Sequence, residues 1–335
     1  MDETADAPPT ATDDAAVSRR RRRAGWHLWV WWLALVGLVA VLVPVVARLT
    51  GWEAGPLAWL VALMPWVTLA CVVPLVLAVL ARSWSLSVTA AAITSLGVAW
   101  MVPLYVAAPA AGDTVLTVAT LNLEYGEADA DAVVRLVEDY SVDVLAVQEL
   151  TPAAVTRLRD AGLEEVLPQA VLAPEPGFKG TGLWSRLPLA DRQIVDALSA
   201  RAVRAQITVE SRALAVYAIH PEAPALRSHQ RWSEDMDRLA ALLGDVTGGV
   251  IVAGDFNTAR DHAAFRRLEG LGYADAADQA GAGFQPTFPE GRTIGPLVAI
   301  DHVMTRDASL VAKTLDTVAI PGTDHRALVA GYVAD

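Results

Sequence analysis

Cysteine is almost missing from this chain: Cys71 is the only one in 335 residues, which excludes an intramolecular disulfide and any cysteine-based metal site. Large apolar residues are missing from residues 1–18, a stretch rich in Ala, Asp, Thr and Pro that cannot bury enough surface to fold alone. Disorder is therefore expected over a tail, residues 1–25, that includes the arginine run. Charge is scarce across residues 26–107, where three apolar runs follow one another. An ordinary soluble domain is excluded for that region. No internal repeat is evident, so no repeat architecture is expected.

What is present is a composition of 54% hydrophobic residues, unevenly spread. The first run, residues 26–47, would be about 33 Å long as a helix, which matches a hydrocarbon core of about 30 Å. Residues 56–80 and 86–107 pass the same length test, with Pro65, Pro74 and Pro103 tolerable where neighbouring helices satisfy the freed carbonyls. Three transmembrane helices are expected over residues 26–107. Trp26, Trp29, Trp31, Trp32, Trp52, Trp84 and Trp100 stand where interfacial aromatics would. Five consecutive arginines, Arg19 to Arg23, precede the first run, and such charge is held in the cytoplasm. Three crossings then place residues 113–335 outside a cell membrane. Arg82 falls in the inner loop as expected, whereas Arg48 sits in the outer one. A cleaved signal peptide ending at Val45-Val46-Ala47 is the rival reading, weakened by the length of the apolar run and by the two that follow.

From residue 113 the composition is that of a globular protein, with 32 acidic against 19 basic residues and a formal net charge of −13. Nucleic-acid binders usually carry the opposite sign, so a duplex substrate is disfavoured. Hydrophobic periodicity predicts strands over 114–122, 143–149, 182–185, 202–210, 214–220, 249–253, 298–304, 309–318 and 327–332, and helices over 129–140, 152–161 and 226–243. Runs of strands interrupted by a few amphipathic helices favour two sheets packed face to face with helices outside.

Polar strings fall at the ends of these strands: Asn122, Gln148-Glu149, His220-Pro221, Gly254-Asp255-Phe256-Asn257, Ile300-Asp301-His302 and Thr323-Asp324-His325. Catalytic groups converge in this way when loops at one edge of a rigid sheet line a cleft. Their order over residues 113–335 resembles the endonuclease/exonuclease/phosphatase superfamily, which includes pancreatic-type deoxyribonucleases, abasic-site endonucleases, neutral sphingomyelinases and inositol-phosphate phosphatases. Three spans ahead of such a domain also look like actinobacterial membrane phosphatases linked to teicoplanin resistance, a likeness of architecture. The resemblance implies an α+β fold, a four-layer α/β/β/α sandwich of two mixed sheets flanked by helices, preceded by the three transmembrane helices.

Phosphoester hydrolysis needs a hard divalent cation, a group to activate water and donors where charge accumulates. By the resemblance, Glu149 is the principal ligand of Mg²⁺ or Mn²⁺, joined by Asn122 and Asp324, oxygen donors of the type these ions take. His325 is a base or transition-state partner whose other ring nitrogen bonds Asp301. Asp255 orients or deprotonates water, and Asn257 bonds the phosphoryl oxygen; which of Asp255 and His325 takes the proton stays open. His220 matches the second histidine of deoxyribonucleases and sphingomyelinases. Glu124 stands where some repair members have another carboxylate, and His302 receives no role. Gly180-Thr181-Gly182 with Ser185-Arg186 matches a segment that shapes the fold near the cleft, and Thr323 replaces a more usual Ser.

About five residues, 108–112, join the last apolar run to the first strand and reach at most about 18 Å. A site tethered so close to a membrane favours a substrate in that membrane. The expected activity is therefore metal-dependent hydrolysis of a phosphorylated lipid, such as a polyprenyl phosphate or pyrophosphate, outside the membrane. A surface nuclease is the alternative, and it would need Arg186, Arg201, Arg204, Arg227, Arg231 and Arg260 to form a basic strip. An inactive lipid- or antibiotic-binding module is the third reading.

Overall fold

Helices take up the apolar first third of the chain: α1 (Ala11–Thr50), α2 (Pro56–Ala62), α3 (Met64–Ala70), α4 (Val72–Leu80) and α5 (Trp84–Met101), then a 3-10 turn at Val102–Tyr105. The structure, a computed structural model, describes residues 11–225 and 229–335, with side chains from Trp26 onward. Of the expected disordered tail, residues 1–10 lie outside the described residues, and from Ala11 the backbone is helical. Alanine and arginine are good helix formers, and here they extend the helix that the apolar run begins. The side chains of Arg19 to Arg23 lie outside the described residues.

Among the described residues, two helices are long and apolar enough to cross a membrane, Trp26–Thr50 and Trp84–Tyr105. The expected middle span is not one straight helix. Pro56–Ala62 and Met64–Leu80 pass the length test only as a bent pair, with Leu63 at the break. Pro65, just inside α3, cannot donate the amide hydrogen bond that would carry α2 onward.

The chain divides into two compact units, and the division does not follow the expected boundary at residue 113. One unit is Met1–Val46 with Pro65–Trp100; the other is Ala47–Met64 with Met101–Asp335. In the first, Leu38, Val41, Cys71 and Ala90 form a small core. Trp29, Leu33, Val36, Leu69, Val73, Val79 and Trp84 remain exposed. So large an outward apolar face is what a helix bundle offers to a lipid or protein environment.

The second unit carries the sandwich. One sheet is built from β1 (Leu116–Asn122), β2 (Val144–Gln148), β3 (Gln169–Ala173), β4 (Thr181–Ser185), β11 (Leu310–Ala319) and β12 (Arg326–Ala334), in the order β11-β12-β1-β2-β4-β3. The other holds β5 (Ala190–Val195), β6 (Ala202–Val209), β7 (Arg212–Ile219), β8 (Gly249–Asp255), β9 (Ala274–Asp275) and β10 (Asp301–Arg306), in the order β5-β6-β7-β8-β10-β9. Each sheet is mixed, with a parallel pair at its centre, β1 beside β2 and β7 beside β8. These central strands are buried almost throughout, which is why they read as continuous apolar runs.

Helices α6 (Ala130–Asp139), α7 (Pro152–Asp160) and α8 (Leu163–Val166) cover the first sheet, while α9 (His229–Gly244) and α10 (Ala263–Gly270) cover the second; α11 (Ala276–Ala280) packs near β11. Asp129 caps α6 by accepting from Ala132 N, and Thr151 caps α7, with Pro152 in its first turn. Leu116, Val144, Val203, Val216, Ile251, Val303 and Tyr332 fill the space between the sheets. The result is the four-layer arrangement expected. Edge strands β3 and β5 were not expected; β5 is exposed and polar, so it reads as a loop. Residues 226–228, the expected start of α9, lie outside the described residues.

The short connection at 108–112 is held at its start. Gly283 N donates to Leu104 O and Ala108 N to Gln279 O, which docks the chain onto the α11 region before residue 109.

Candidate active site

Parallel strands deliver the first four polar groups. Asn122 and Gln148 are in register at the ends of β1 and β2, and Ile219 and Gly254 at the ends of β7 and β8. Glu149, His220 and Asp255 follow at those same ends. Asp301 begins β10 opposite Asp255, because β10 runs antiparallel to β8. Asp324 and His325 immediately precede β12. Close packing demands glycine at two points: a Cβ on Gly254 would lie 2.1 Å from Ile219 O, and one on Gly180 1.9 Å from Leu150 O. The second contact lies next to Glu149, so the Gly180-Thr181-Gly182 segment does shape the cleft.

Glu149 and Asn257 both take positive φ, 55° and 48°, as do Glu124 and Tyr125 at 45° and 56°. Such backbone costs on the order of 1 kcal/mol or more per residue and persists only where surrounding structure imposes it. Here Leu150 N donates to Gly180 O, Tyr125 N donates to Glu149 Oε2 at 2.6 Å, and Asn257 N donates to Asp255 Oδ1 at 2.8 Å.

The expected site residues come together. Asn122 Nδ2 donates both to Glu149 Oε1 at 3.1 Å and to Asp255 Oδ2 at 3.0 Å. His220 Nε2 lies 3.5 Å and His325 Nε2 3.7 Å from the same Asp255 oxygen. His325 Nδ1 donates to Asp301 Oδ2 at 2.9 Å, and His220 Nδ1 donates to Phe178 O at 3.1 Å. Each histidine therefore turns Nε2 toward Asp255. Asp324 Oδ1 is 3.9 Å from His325 Nε2, and Thr323 Oγ1 donates to Asn122 O while accepting from His325 N. Asn257 Nδ2 donates to Pro221 O at 3.0 Å.

The electrostatics follow from this crowding. Burial alone raises the pKa of Asp255, but the charge of His325 and the bond and charge of His220 outweigh it and pull the value down to about 2. Burial alone lowers that of His325, but Asp301 and Asp255 outweigh it and hold the value at about 10. His220 is raised in the same way: burial opposes, and the bond and charge of Asp255 prevail. At neutral pH Asp255 is a carboxylate and His325 an imidazolium. Of the two groups expected to activate water, Asp255 presents negative oxygen and His325 a positive N–H. His325 is suited to stabilising negative phosphoryl oxygen.

Two sets of metal-ligating residue types lie at the site, and one of them is close-set. Among the described residues, Asp255, Asp301 and His325 form the group whose donor atoms all lie within 4.8 Å of one another. Two of these, His325 and Asp301, already bond each other. The second group is made of oxygen donors at the rim, Glu149, Asp324 and Glu124. Burial and the charges of Asp324 and, more weakly, Glu149 raise the Glu124 pKa, with Arg292 alone opposing them by charge. Arg292 Nη2 stands 3.7 Å from Glu124 and 3.6 Å from Asp324, and its side chain is 61% exposed. Neighbouring carboxylates are oxygen donors of the type a hard divalent ion takes. Asn122 is oriented differently from the expectation. Its Oδ1 accepts from Glu124 N at 2.9 Å, which turns its nitrogen, not its oxygen, toward Glu149 and Asp255.

Several supporting residues carried no signal in the sequence. Thr287 Oγ1 accepts from Ile300 N and Asp301 N, which orients the start of β10. Phe288 packs on the His325 ring at 4.9 Å. Trp232 Nε1 donates to Asn257 O and Thr258 Oγ1, so α9 pins the turn after Asp255. His302 bonds Asp275 Oδ2 at 2.8 Å and Thr258 O at 3.1 Å, buried beside Phe256 and Phe265. Its place is structural.

Five of the six arginines considered for a basic strip are paired with carboxylates. Arg186, Arg201, Arg204, Arg231 and Arg260 pair with Asp143, Glu175 and Asp196, Asp191, Glu222 and Asp278. Arg227 lies outside the described residues.

A model of the Endonuclease/Exonuclease/phosphatase family matches residues 119–325, a stretch that takes in all the site residues named above. No curated protein matches the chain. Similar solved structures include humanized D. rerio TDP2 carrying 14 mutations, 16% identical over 65% of this chain and 99% of that one, with a TM-score of 0.54. An endonuclease/exonuclease/phosphatase from Bacteroides vulgatus is 17% identical over 66% of this chain and 99% of that one, with a TM-score of 0.54. An AP endonuclease from Archaeoglobus fulgidus is 16% identical over 66% of this chain and 99% of that one, with a TM-score of 0.51. At such identities the likeness is one of fold.

Proposed function

The chain belongs to the endonuclease/exonuclease/phosphatase family, whose chemistry is metal-dependent hydrolysis of phosphoric esters, and we propose that it acts on a phosphorylated lipid outside the cytoplasmic membrane. A polyprenyl phosphate or pyrophosphate is the substrate type in view, as the likeness to teicoplanin-resistance-associated membrane phosphatases suggests. One observation carries the reading: residues 47–64, the last turn of the first apolar helix and the segment after it, are part of the catalytic unit. Arg48 Nε pairs with Asp261 Oδ1 at 2.6 Å, Ala263 N donates to Glu53 Oε1 at 2.7 Å, and Trp59 Nε1 donates to Pro224 O at 2.8 Å. A segment adjoining the membrane run is thus built into the rim of the cleft.

The same observation supports the side. Residues 47–64 and the sandwich share one compact unit; Trp26–Thr50 precedes both parts, whereas the bent pair and Trp84–Tyr105 fall between them in sequence. With Arg19 to Arg23 held in the cytoplasm, that unit lies outside when the bent pair and Trp84–Tyr105 both cross, so that three crossings precede the sandwich.

In the reaction, a divalent ion at the rim carboxylates would neutralise phosphoryl oxygens and lower the pKa of water. Asp255 orients the water, held in place by Asn122 Nδ2 and Asn257 N. His325, fixed by Asp301, places positive charge beside the phosphoryl group, and His220 adds a second imidazole on the same face. The purified full-length protein in detergent with Mg²⁺ should release phosphate from a polyprenyl pyrophosphate, with His325→Ala as control. Hydrolysis of plasmid DNA and of no lipid phosphate would overturn the substrate, and binding without turnover would favour an inactive module.

A further inference from the structure

An apolar cavity of about 470 Å³ adjoins the catalytic histidine. One wall is α2, through Ala58, Trp59, Ala62 and Leu63; the others come from Ala223–Ala225 and from residues around Phe288, Leu297 and Ile300. All of these belong to the catalytic unit. Its size is that of a pocket for a small molecule or part of a larger one. His325 and Asn257 stand in its lining, so the space begins where the phosphoryl chemistry ends.

The polar side chains there are already engaged. His262 Nδ1 accepts from Ala259 N at 2.9 Å and Nε2 donates to Ala58 O at 2.8 Å. Trp59 Nε1 is bonded to Pro224 O and Asn257 Nδ2 to Pro221 O. A ribose, glycerol or sugar next to the phosphate would bring hydroxyl groups into this lining, and burying hydroxyls without hydrogen-bond partners is unfavourable. A hydrocarbon chain attached directly to the phosphate meets no such cost.

We propose that this cavity receives the first part of a hydrocarbon chain bonded directly to the substrate's phosphate, which makes the protein selective for long-chain alkyl or prenyl phosphates and pyrophosphates over headgroup-bearing lipids and nucleotides. The inference rests on the phosphoesterase reading above and deepens it. Two features favour this occupant: the cavity is continuous with His325, and its α2 wall runs on through Met64 into the apolar sequence ending at Leu80.

The test uses the full-length protein in detergent with Mg²⁺ and an ester series: p-nitrophenyl, butyl, octyl and dodecyl phosphate, farnesyl phosphate, sphingomyelin and a dinucleotide. Each methylene that enters the cavity should raise kcat/KM about two- to fourfold, until the space is full. Ala62→Phe, which fills the α2 wall, should lower the ratio of kcat/KM for dodecyl over p-nitrophenyl phosphate at least tenfold. Should that variant fail to fold, the chain-length series on the unaltered protein decides alone. A flat series with active enzyme overturns the cavity assignment and leaves the phosphoesterase reading intact. Preference for sphingomyelin or the dinucleotide over dodecyl phosphate also overturns it. Hydrolysis of none of these esters removes the underlying reading instead.

Discussion

Arg48 and Asp261 form an ion pair 2.6 Å long with side chains only 11% and 6% exposed, joining the end of the first helix to the loop that follows the Asp255–Asn257 turn. Removing one partner of such a pair leaves a buried charge without compensation, which costs about 3–5 kcal/mol. Arg48→Ala should therefore lower the thermal midpoint of the detergent-solubilised protein markedly, whereas the joint replacement Arg48→Met with Asp261→Leu should restore most of it. Equal midpoints for Arg48→Ala and the unaltered chain would show that the pair does not hold this segment.

The dyad of His325 and Asp301 makes a second prediction. Asp301→Asn keeps the shape but no longer holds the imidazolium by charge, and His325→Ala removes it. Each should lower kcat about 10²-fold or more with little change in KM. Steady-state kinetics on a soluble phosphate ester separate the two constants, and a fall confined to KM would assign these residues to binding.

Metal removal gives a third. EDTA should abolish turnover, and Mg²⁺ or Mn²⁺ should restore it. Glu149→Gln should weaken the response, read as the metal concentration for half-maximal rate. The ion should also raise the unfolding midpoint of the unaltered chain in proportion to its occupancy. Full activity in EDTA would remove the metal-dependent step.

Acid sensitivity gives a fourth, through His262. Burial lowers its pKa from 6.5 to about 4, against the opposing bonds to Ala58 and Ala259. The unfolded chain then binds a proton more readily than the folded one between those values. The contribution is fully present above pH 6.5, declines as pH falls and is lost once pH passes about 4. The difference amounts to about 3 kcal/mol. His262→Gln should flatten the slope of stability against pH over that window, measured by denaturant unfolding. An unchanged slope would mean that His262 does not titrate with folding.

Much of the sandwich was legible because its central strands and the faces of α6 and α9 carry strong apolar patterns, and because each polar string marks one end of a strand. What escaped was local and exposed or used ordinary residues. Strand β5 has no buried face, Thr287 acts through a hydroxyl that any loop threonine has, and Arg292 is an arginine among others until its two carboxylate neighbours are known. The bend at Leu63 also escaped, since hydropathy cannot tell a straight span from a helix recruited to a neighbouring domain.

Residue types and their order determine, without coordinates, that this chain joins apolar helices to a globular domain with polar strings at its strand ends, because long uncharged runs have few other uses; the phosphoester chemistry follows from the resemblance of those strings, in their order, to a known family. Only the tertiary structure decided that Asn122 turns its nitrogen to Glu149 and Asp255, that His325 is held as a cation, and that α2 forms a wall of the cleft. Those outcomes depend on distance and burial between segments far apart in the chain, which no local pattern encodes.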